Sequence, residues 1–514
     1  MQQAIKTYLY QYPLRSVLFL AFITHLAAAV FSGGYAMHDD HFLIIETSGS
    51  WVDGKDYNDW LPSTQKQQIE DGVRDKLQPQ GHSFVYPGFH YLIFSGLKKI
   101  GLDNPKAQML VVRLLHVFLS LWAVFLAFKI TEYLSDKKTA LIAGIVFALS
   151  WSLPFLSVRN LVEMACIPFL LWGVYLIAKY EIKNKFGYYL LAGVAFGFAF
   201  TIRYQLAVYI FFMGLVFLFQ GKWKLLIGVT IGSILSILVF QGLLDYLLWG
   251  YPFAEFIEYV RYNASSARAD YANDLGKTFW FSYIFVLGFM TVPILGMFWI
   301  FGVFNKFKRY LWISLPVVAF VAFHSIYINR QERFVFPVVY LVVILGIIGW
   351  KAFYDKSKFW QNHAKLWKGI LIASWIFNTL FLVVLTVDYS KRSRVESAYF
   401  LYDKSPVNSV IQENTFRGDT PMIPRYYSGK WDFSILSITT IDQLNAWKTN
   451  ATTAPDYVFF YGEENIKERV KPFQEKFPKL HLITTIEPSF FDVILVKINP
   501  LNKNERIIIY GTKG

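Results

Sequence analysis

Apolar runs of about 20 residues recur through the first three-quarters of the chain, each followed by a short polar segment. A helix rises 1.5 Å per residue, so each run matches the roughly 30 Å hydrocarbon core of a bilayer. The pattern predicts about eleven transmembrane helices. They fall near residues 17–30, 110–133, 139–157, 161–179, 187–202, 206–220, 225–248, 280–303, 311–328, 334–353 and 369–388. The first contains Ala27-Ala28-Ala29 and could pass for a signal peptide. Cleavage would leave the acidic motif behind it untethered, so it is read as an anchor.

Two polar stretches interrupt the pattern. Residues 37–107 are rich in Trp, Tyr, Gly, Pro and acids, with a polar helix expected near 62–77 and a one-sided apolar helix near 88–100 that would lie in the interface. Residues 249–279 form the second stretch. After the basic linker Lys391–Arg394 the periodicity changes to that of a small α/β domain. Strands are expected at 457–461, 481–486, 491–498 and 506–510, with a helix near 463–476. The chain thus divides into a membrane domain, 1–390, and an extracytoplasmic α/β domain, 391–514, with a supporting or acceptor-binding role.

Charge refines this picture. The net charge of +14 might suggest nucleic acid, but much of the excess is lysine in short loops between spans, where it acts as a topology signal. Lys6 and Arg15 place the N-terminus in the cytoplasm. The single cysteine, Cys166, lies in an apolar run, so no intramolecular disulfide braces the outer domain. The sequons at Asn263 and Asn450 are too short a signal to argue for glycosylation.

Arginine is distributed differently from lysine. Arg159, Arg203, Arg261, Arg330 and Arg333 all fall at expected outer span ends, against the positive-inside rule. A guanidinium grips phosphate or carboxylate with a planar fork and stays charged when partly desolvated. On the same face, just past the first span, lies Met37-His38-Asp39-Asp40-His41-Phe42. Two carboxylates at a rigid helix end suit a general base as well as an ordinary solvated boundary. His38, Asp39, Asp40 and His41 could also bind a metal if His82, His90 or Glu46 supplied a third ligand, but no metal is assigned. Glu163 follows Arg159 closely, and Asp245 could orient the second outer loop. A carboxylate beside an arginine-lined pocket describes glycosyl transfer from a polyprenyl-phosphate sugar. No phosphate-cradling glycine loop is present, so no nucleotide or other cofactor is expected.

These motifs resemble the multi-spanning GT-C glycosyltransferases, specifically the α-mannosyltransferase family that builds lipid-linked oligosaccharides and GPI anchors from dolichyl-phosphate mannose. The family's His-Pro-Asp-Glu element resembles Met37-His38-Asp39-Asp40. Its Arg-Thr…Glu element resembles Arg159-Asn160-Leu161-Val162-Glu163, and its Arg-Pro-Thr element resembles Arg203-Tyr204-Gln205. Its Asp…Tyr-Gly…Asn element is similar to Asp245 through Gly250 with Tyr262-Asn263. Its Ser…His-Lys-Glu-x-Arg-Phe element is similar to Ser325 with Asn329 through Phe334, where Met37, Asn329 and Gln331 depart from the pattern.

The resemblance covers roughly residues 15–390. It implies an α-helical polytopic enzyme moving a hexose, with mannose favoured, to a glycan or lipid-linked acceptor with inversion. Asp39 is then the first choice for the base and Asp40 the second. Substrate binding falls to His38, His41, Arg159, Glu163, Arg203, Asp245, Tyr262, Asn263, Arg330, Glu332 and Arg333. The rival readings are a transporter or flippase and a protein O-glycosyltransferase on the same scaffold. The expected setting is a bacterial cytoplasmic membrane with the active site outside, or the endoplasmic reticulum with a lumenal site. The donor lipid, the acceptor and the bilayer are the expected partners, with no nucleic acid.

Overall fold

The computed structural model describes residues 10–181, 183–265, 279–327, 330–404, 406–446, 454–498 and 504–512. Lys6, the sequon at Asn450 and the motif residue Asn329 lie outside them. Contacts divide the chain into two units. One comprises residues 1–31, 59–89 and 112–386; the other comprises 32–58, 90–111 and 387–514.

The first unit is helical. Among the described residues six helices are long and apolar enough to cross a membrane: Pro13–Phe31, Pro105–Leu134, Val162–Tyr180, Trp223–Trp249, Glu332–Tyr354 and Ala364–Thr386. Phe186–Ile202, Leu206–Phe219 and Leu311–Ile326 are shorter apolar helices. The protein is a multi-pass membrane protein.

Two expected spans are not continuous. The run at 280–303 is a pair, Ser282–Met290 and Leu295–Asn305, bent by 113°. Pro293 lies in the bend, where it cannot donate to the helix ladder, and Ile294 takes a left-handed φ of 71°. The run at 139–157 is a helix, Lys137–Leu149, then a short turn, Leu153–Ser157, with Pro154 at its start. The break exposes backbone groups that hydrocarbon cannot satisfy. Asn378, buried on the last long helix, meets both: its side chain accepts from Trp151 N at 2.9 Å and donates to Leu149 O at 2.7 Å.

Helices pack closely where side chains are smallest. A Cβ on Gly193 would stand 2.2 Å from Val229 O, and one on Gly232 would stand 2.0 Å from Leu190 O. Backbone contact of this kind replaces the hydrophobic drive that lipid cannot provide.

The second unit holds the strands. Gly33–Gly34 (β1) follows the first long helix and pairs in parallel with Tyr389–Ser390 (β2). A five-stranded sheet contains Ser409–Glu413 (β3), Ser434–Ile438 (β4), Tyr457–Tyr461 (β5), His481–Ile486 (β6) and Ile507–Gly511 (β7), in the order β4-β3-β5-β7-β6. β3 runs parallel to β4 and β5, whereas β7 is antiparallel to β5 and β6. Ile411, Val458, Phe460 and Ile508 pack with Val470 and Phe473 of the helix Ile466–Lys476. Arg469 and Glu413 form a buried pair, Nε to Oε2 at 3.1 Å.

Two readings of this region are corrected. The stretch expected as a strand at 491–498 lies in a helix, Phe490–Ile498. Its start is a reciprocal capping box: Ser489 N donates to the Asp492 carboxylate at 3.4 Å, and Asp492 N donates to Ser489 Oγ at 3.1 Å. The expected linker at 391–394 opens the helix Arg392–Phe400. Asp492, about a hundred residues later, accepts from Lys391 N at 2.9 Å and Arg392 N at 3.0 Å. A cap contributed from so far along the chain leaves no local pattern.

Candidate active site

In the second unit, His38–Asp40 forms one helical turn that runs into a π-helical turn, His41–Glu46. Such wide turns are frequent at functional sites because they re-aim side chains. His38 is exposed and Asp39 half-buried, whereas Asp40 and His41 are buried. Asp39 therefore remains open to water while its neighbours fix it in place.

The fixing is specific. The His41 ring stacks on Tyr35, centroids 4.3 Å apart, and on Tyr427 at 5.5 Å. Its Nε2 lies 3.0 Å from Glu46 Oε1. The Glu46 carboxyl accepts from Tyr426 N at 3.1 and 3.0 Å. Burial pushes the His41 pKa down and the Glu46 pKa up, so the pair is held as a hydrogen bond between largely neutral groups. Lys391 Nζ donates to Ala36 O and stands 4.8 Å above the Tyr35 ring. Nothing in the sequence pattern points to Tyr426 or Tyr427, and it offers Glu46 only as a metal ligand. Among the described residues, no three His, Cys, Asp or Glu side chains are grouped to hold a metal ion.

In the first unit, two chain segments bring guanidinium groups to a carboxylate on a third. Glu163 sits in the turn Val162–Ala165 and is fully buried. Arg203 ends the helix Phe186–Ile202 in extended backbone, and Arg333 belongs to the 3-10 turn Glu332–Val338. Arg203 Nη2 lies 2.9 Å from Glu163 Oε1, and Arg333 Nε lies 3.6 Å from it. The Phe334 ring adjoins both guanidinium groups, at 5.3 and 5.9 Å. The sequence sets Glu163 beside Arg159; in the fold its carboxylate meets Arg203 and Arg333. Arg159 is itself buried, 4.5 Å from the Phe155 ring.

Arg333 Nε also donates to Gln331 Oε1 at 2.9 Å, whereas the buried Arg203 Nε has no hydrogen-bond partner among the described residues. A guanidinium N–H of this kind, partly withdrawn from water, is suited to an oxyanion.

The remaining expected residues separate into two groups. Arg330 donates from Nε to Ser325 O at 2.8 Å, and Asn263 accepts from Tyr327 at 3.0 Å. Tyr262 and Glu332 are exposed. Arg261 pairs with Glu258 at 2.6 Å on its own helix, its side chain 70% exposed, and does not join the buried cluster.

Asp245 belongs to a second network. Its Oδ2 accepts from Gln241 Nε2 at 2.8 Å and from Glu255 N at 3.0 Å. Glu255, which sequence reading passed over, accepts four N–H bonds. Trp60 and Trp249 Nε1 donate to Oε1 at 2.8 and 3.0 Å, and Gly81 N and His82 N donate to Oε2 at 2.7 and 3.2 Å. Burial pushes its carboxyl up to about 7 against the pull of these donors. Only an acceptor-only side chain satisfies all four. Glu255→Gln turns an NH2 toward two N–H groups and is expected to destabilise the fold by about 1–3 kcal/mol. Thermal unfolding measures this, and protection of amides 59–89 against hydrogen exchange should fall with it.

Solved structures share this architecture. ArnT from Cupriavidus metallidurans, bound to undecaprenyl phosphate, aligns over 99% of this chain and 98% of its own, with a TM-score of 0.57 at 12% identity. The archaeal oligosaccharyltransferase AglB from Archaeoglobus fulgidus, in complex with an inhibitory peptide and a dolichol-phosphate, aligns over 88% and 70%, with a TM-score of 0.52 at 10% identity. The fold is that of the GT-C membrane glycosyltransferases. Residues 79–414 match the Alg9-like mannosyltransferase family, and the chain belongs to that family. Mannosyltransferase APTG1 of Arabidopsis thaliana is 25% identical over 324 residues, 61% of this chain and 54% of that protein. The chain thus spans about half the length of this curated relative.

Proposed function

We propose that the protein transfers a hexose, mannose in the first instance, from a polyprenyl-phosphate donor to a hydroxyl of a glycan or lipid-linked acceptor on the extracytoplasmic side. The observation that carries this reading is the buried Glu163–Arg203–Arg333 cluster, in which Arg203 Nε has no hydrogen-bond partner among the described residues. Membership of the Alg9-like family supports mannose as the sugar.

Asp39 is the proposed base. As the acceptor oxygen attacks the anomeric carbon, its proton passes to the Asp39 carboxylate. The bond from that carbon to the phosphate oxygen breaks, and its electron pair leaves with the lipid phosphate. Arg203 and Arg333, with Arg159, stabilise the departing charge. Attack opposite the leaving group inverts the anomeric centre. Asp40, buried beside the base, is the second candidate for the proton. His38 and His41 flank the pair; Asp245, Tyr262, Asn263, Arg330 and Glu332 are assigned to substrate binding.

The test incubates the purified protein with radiolabelled polyprenyl-phosphate mannose and a panel of glycan acceptors. A labelled covalent product is expected, with free polyprenyl phosphate released in equal amount. Label moved across vesicles without a covalent product would establish a transporter instead.

A further inference from the structure

A cavity of about 230 Å³ opens in the second unit. It is lined by Asp53, Asp103, Gln108, Tyr402, Tyr426 and Trp431, among others. We propose that this cavity binds one neutral hexopyranose ring of the acceptor. The proposal rests on the glycosyl-transfer reading and adds to it a place for the acceptor.

The lining has the two properties that a sugar ring requires. A pyranose presents a C–H face that is apolar and an equator of hydroxyl groups. Tyr402, Tyr426 and Trp431 supply flat apolar surface, each with a polar edge. Asp103 supplies a carboxylate for hydroxyls; Gln108 donates from Nε2 to Leu102 O at 2.7 Å and keeps its second N–H, and Asp53, though bonded, keeps further lone pairs. Two carboxylates stand against the single ammonium of Lys98, so a phosphate is disfavoured and a neutral ligand favoured. The volume falls below the roughly 300–1,000 Å³ of pockets that enclose drug-sized ligands, and suits one ring rather than an extended glycan.

The walls are fixed before any ligand arrives. Trp431 Nε1 donates to Asp53 Oδ2 at 2.7 Å, and Lys98 Nζ pairs with the other carboxylate oxygen. Tyr426 OH donates to Gln108 Oε1 at 2.6 Å. A Cβ on Gly49 would stand 2.5 Å from Tyr426 Cδ2, so this glycine lets the ring lie flat on the helix Thr47–Val52. Gly429, at φ 61°, lets the chain turn beneath Tyr402, whose ring a Cβ there would meet at 3.0 Å. Among the described residues Asp103 holds no hydrogen bond or ion pair, which leaves its carboxylate for a ligand hydroxyl. Tyr426 is shared: its side chain lines the cavity while its backbone N–H holds Glu46 beneath the acidic motif.

The experiment is saturation-transfer NMR on the full chain in detergent with methyl α-D-mannopyranoside, and methyl α-D-glucopyranoside as the comparison sugar. Irradiation of aromatic protons should transfer to the ring protons of one or both sugars. Trp431→Ala and Asp103→Asn should each weaken binding and raise the acceptor KM roughly fivefold to tenfold, the scale of one hydrogen bond or stacking contact, with the donor KM unchanged. Asp103→Asn alters a single exposed group, so it decides the matter if Trp431→Ala lowers the melting temperature. Wild-type binding and acceptor KM in the Asp103→Asn variant and in a folded Trp431→Ala variant would overturn the proposal, as would absence of saturation transfer in the wild type. Sugar binding needs no turnover, so Asp39→Asn should retain the signal. If Asp39→Asn transfers sugar normally, the catalytic assignment falls while the binding result stands.

Discussion

Replacing Asp39 with asparagine is expected to lower sugar transfer about 10²–10⁴-fold, the usual contribution of a positioned general base. Melting temperature and donor KM should not move. The substitution keeps the shape of the side chain and removes its charge and its capacity to take a proton. The frame around it is built by His41, Tyr35, Tyr427 and Glu46, whose stacking and hydrogen bond hold the turn. Rates measured against pH should confirm the assignment: whatever limb the wild-type profile owes to Asp39 should vanish in the variant. Near-normal turnover would pass the role to Asp40, whose own asparagine variant would then carry the loss.

The second large effect is expected at the arginine cluster. Arg203→Ala and Arg333→Ala should each raise the donor KM roughly 10–100-fold, the range of a hydrogen bond to a charged partner. Binding of the uncharged polyprenol should stay as it was, because it lacks the phosphate. Arg203→Lys should recover part of the loss only, since an ammonium keeps the charge without the planar fork. Removal of either arginine also leaves the buried Glu163 less compensated, so some fall in melting temperature accompanies the change. Wild-type donor affinity in both alanine variants would exclude a phosphate-binding role.

The membrane character and the α/β sheet region were legible because both rest on local periodicity. β5 and β6 have the expected limits, and the helix at 466–476 lies within the expected 463–476. Where a residue far along the chain decides the outcome, local pattern gives the wrong answer. The helix at 392–400 depends on Asp492, and the helix at 490–498 depends on a Ser-Asp box that an apolar run concealed. The two broken spans did carry a sign, in Pro154 and Pro293. Gly193 and Gly197, with Gly228 and Gly232, are spaced four apart and announce the close helix packing seen in the fold.

The chemistry divides the same way. Charged residues at span ends identify Glu163, Arg203 and Arg333 as candidates, because such groups are costly in a membrane without a purpose. Which arginine meets Glu163 is decided by three separate segments and could not be read from neighbours in sequence. Glu255 and Tyr426 escape the sequence for a different reason: Glu255 accepts from backbone N–H and indole groups, and Tyr426 holds Glu46 through its own backbone N–H, so neither leaves a charge pattern behind.

The short pairing of β1 with β2 has a bearing on timing. Gly33–Gly34 leaves the ribosome early, yet its partner Tyr389–Ser390 and the aromatic pair at 426–427 are translated hundreds of residues afterwards. The acidic turn thus lacks its scaffold throughout most of synthesis, and a prematurely released polypeptide ending before residue 389 is expected to leave that turn unbraced. The ordering of the turn is thereby tied to completion of the polypeptide.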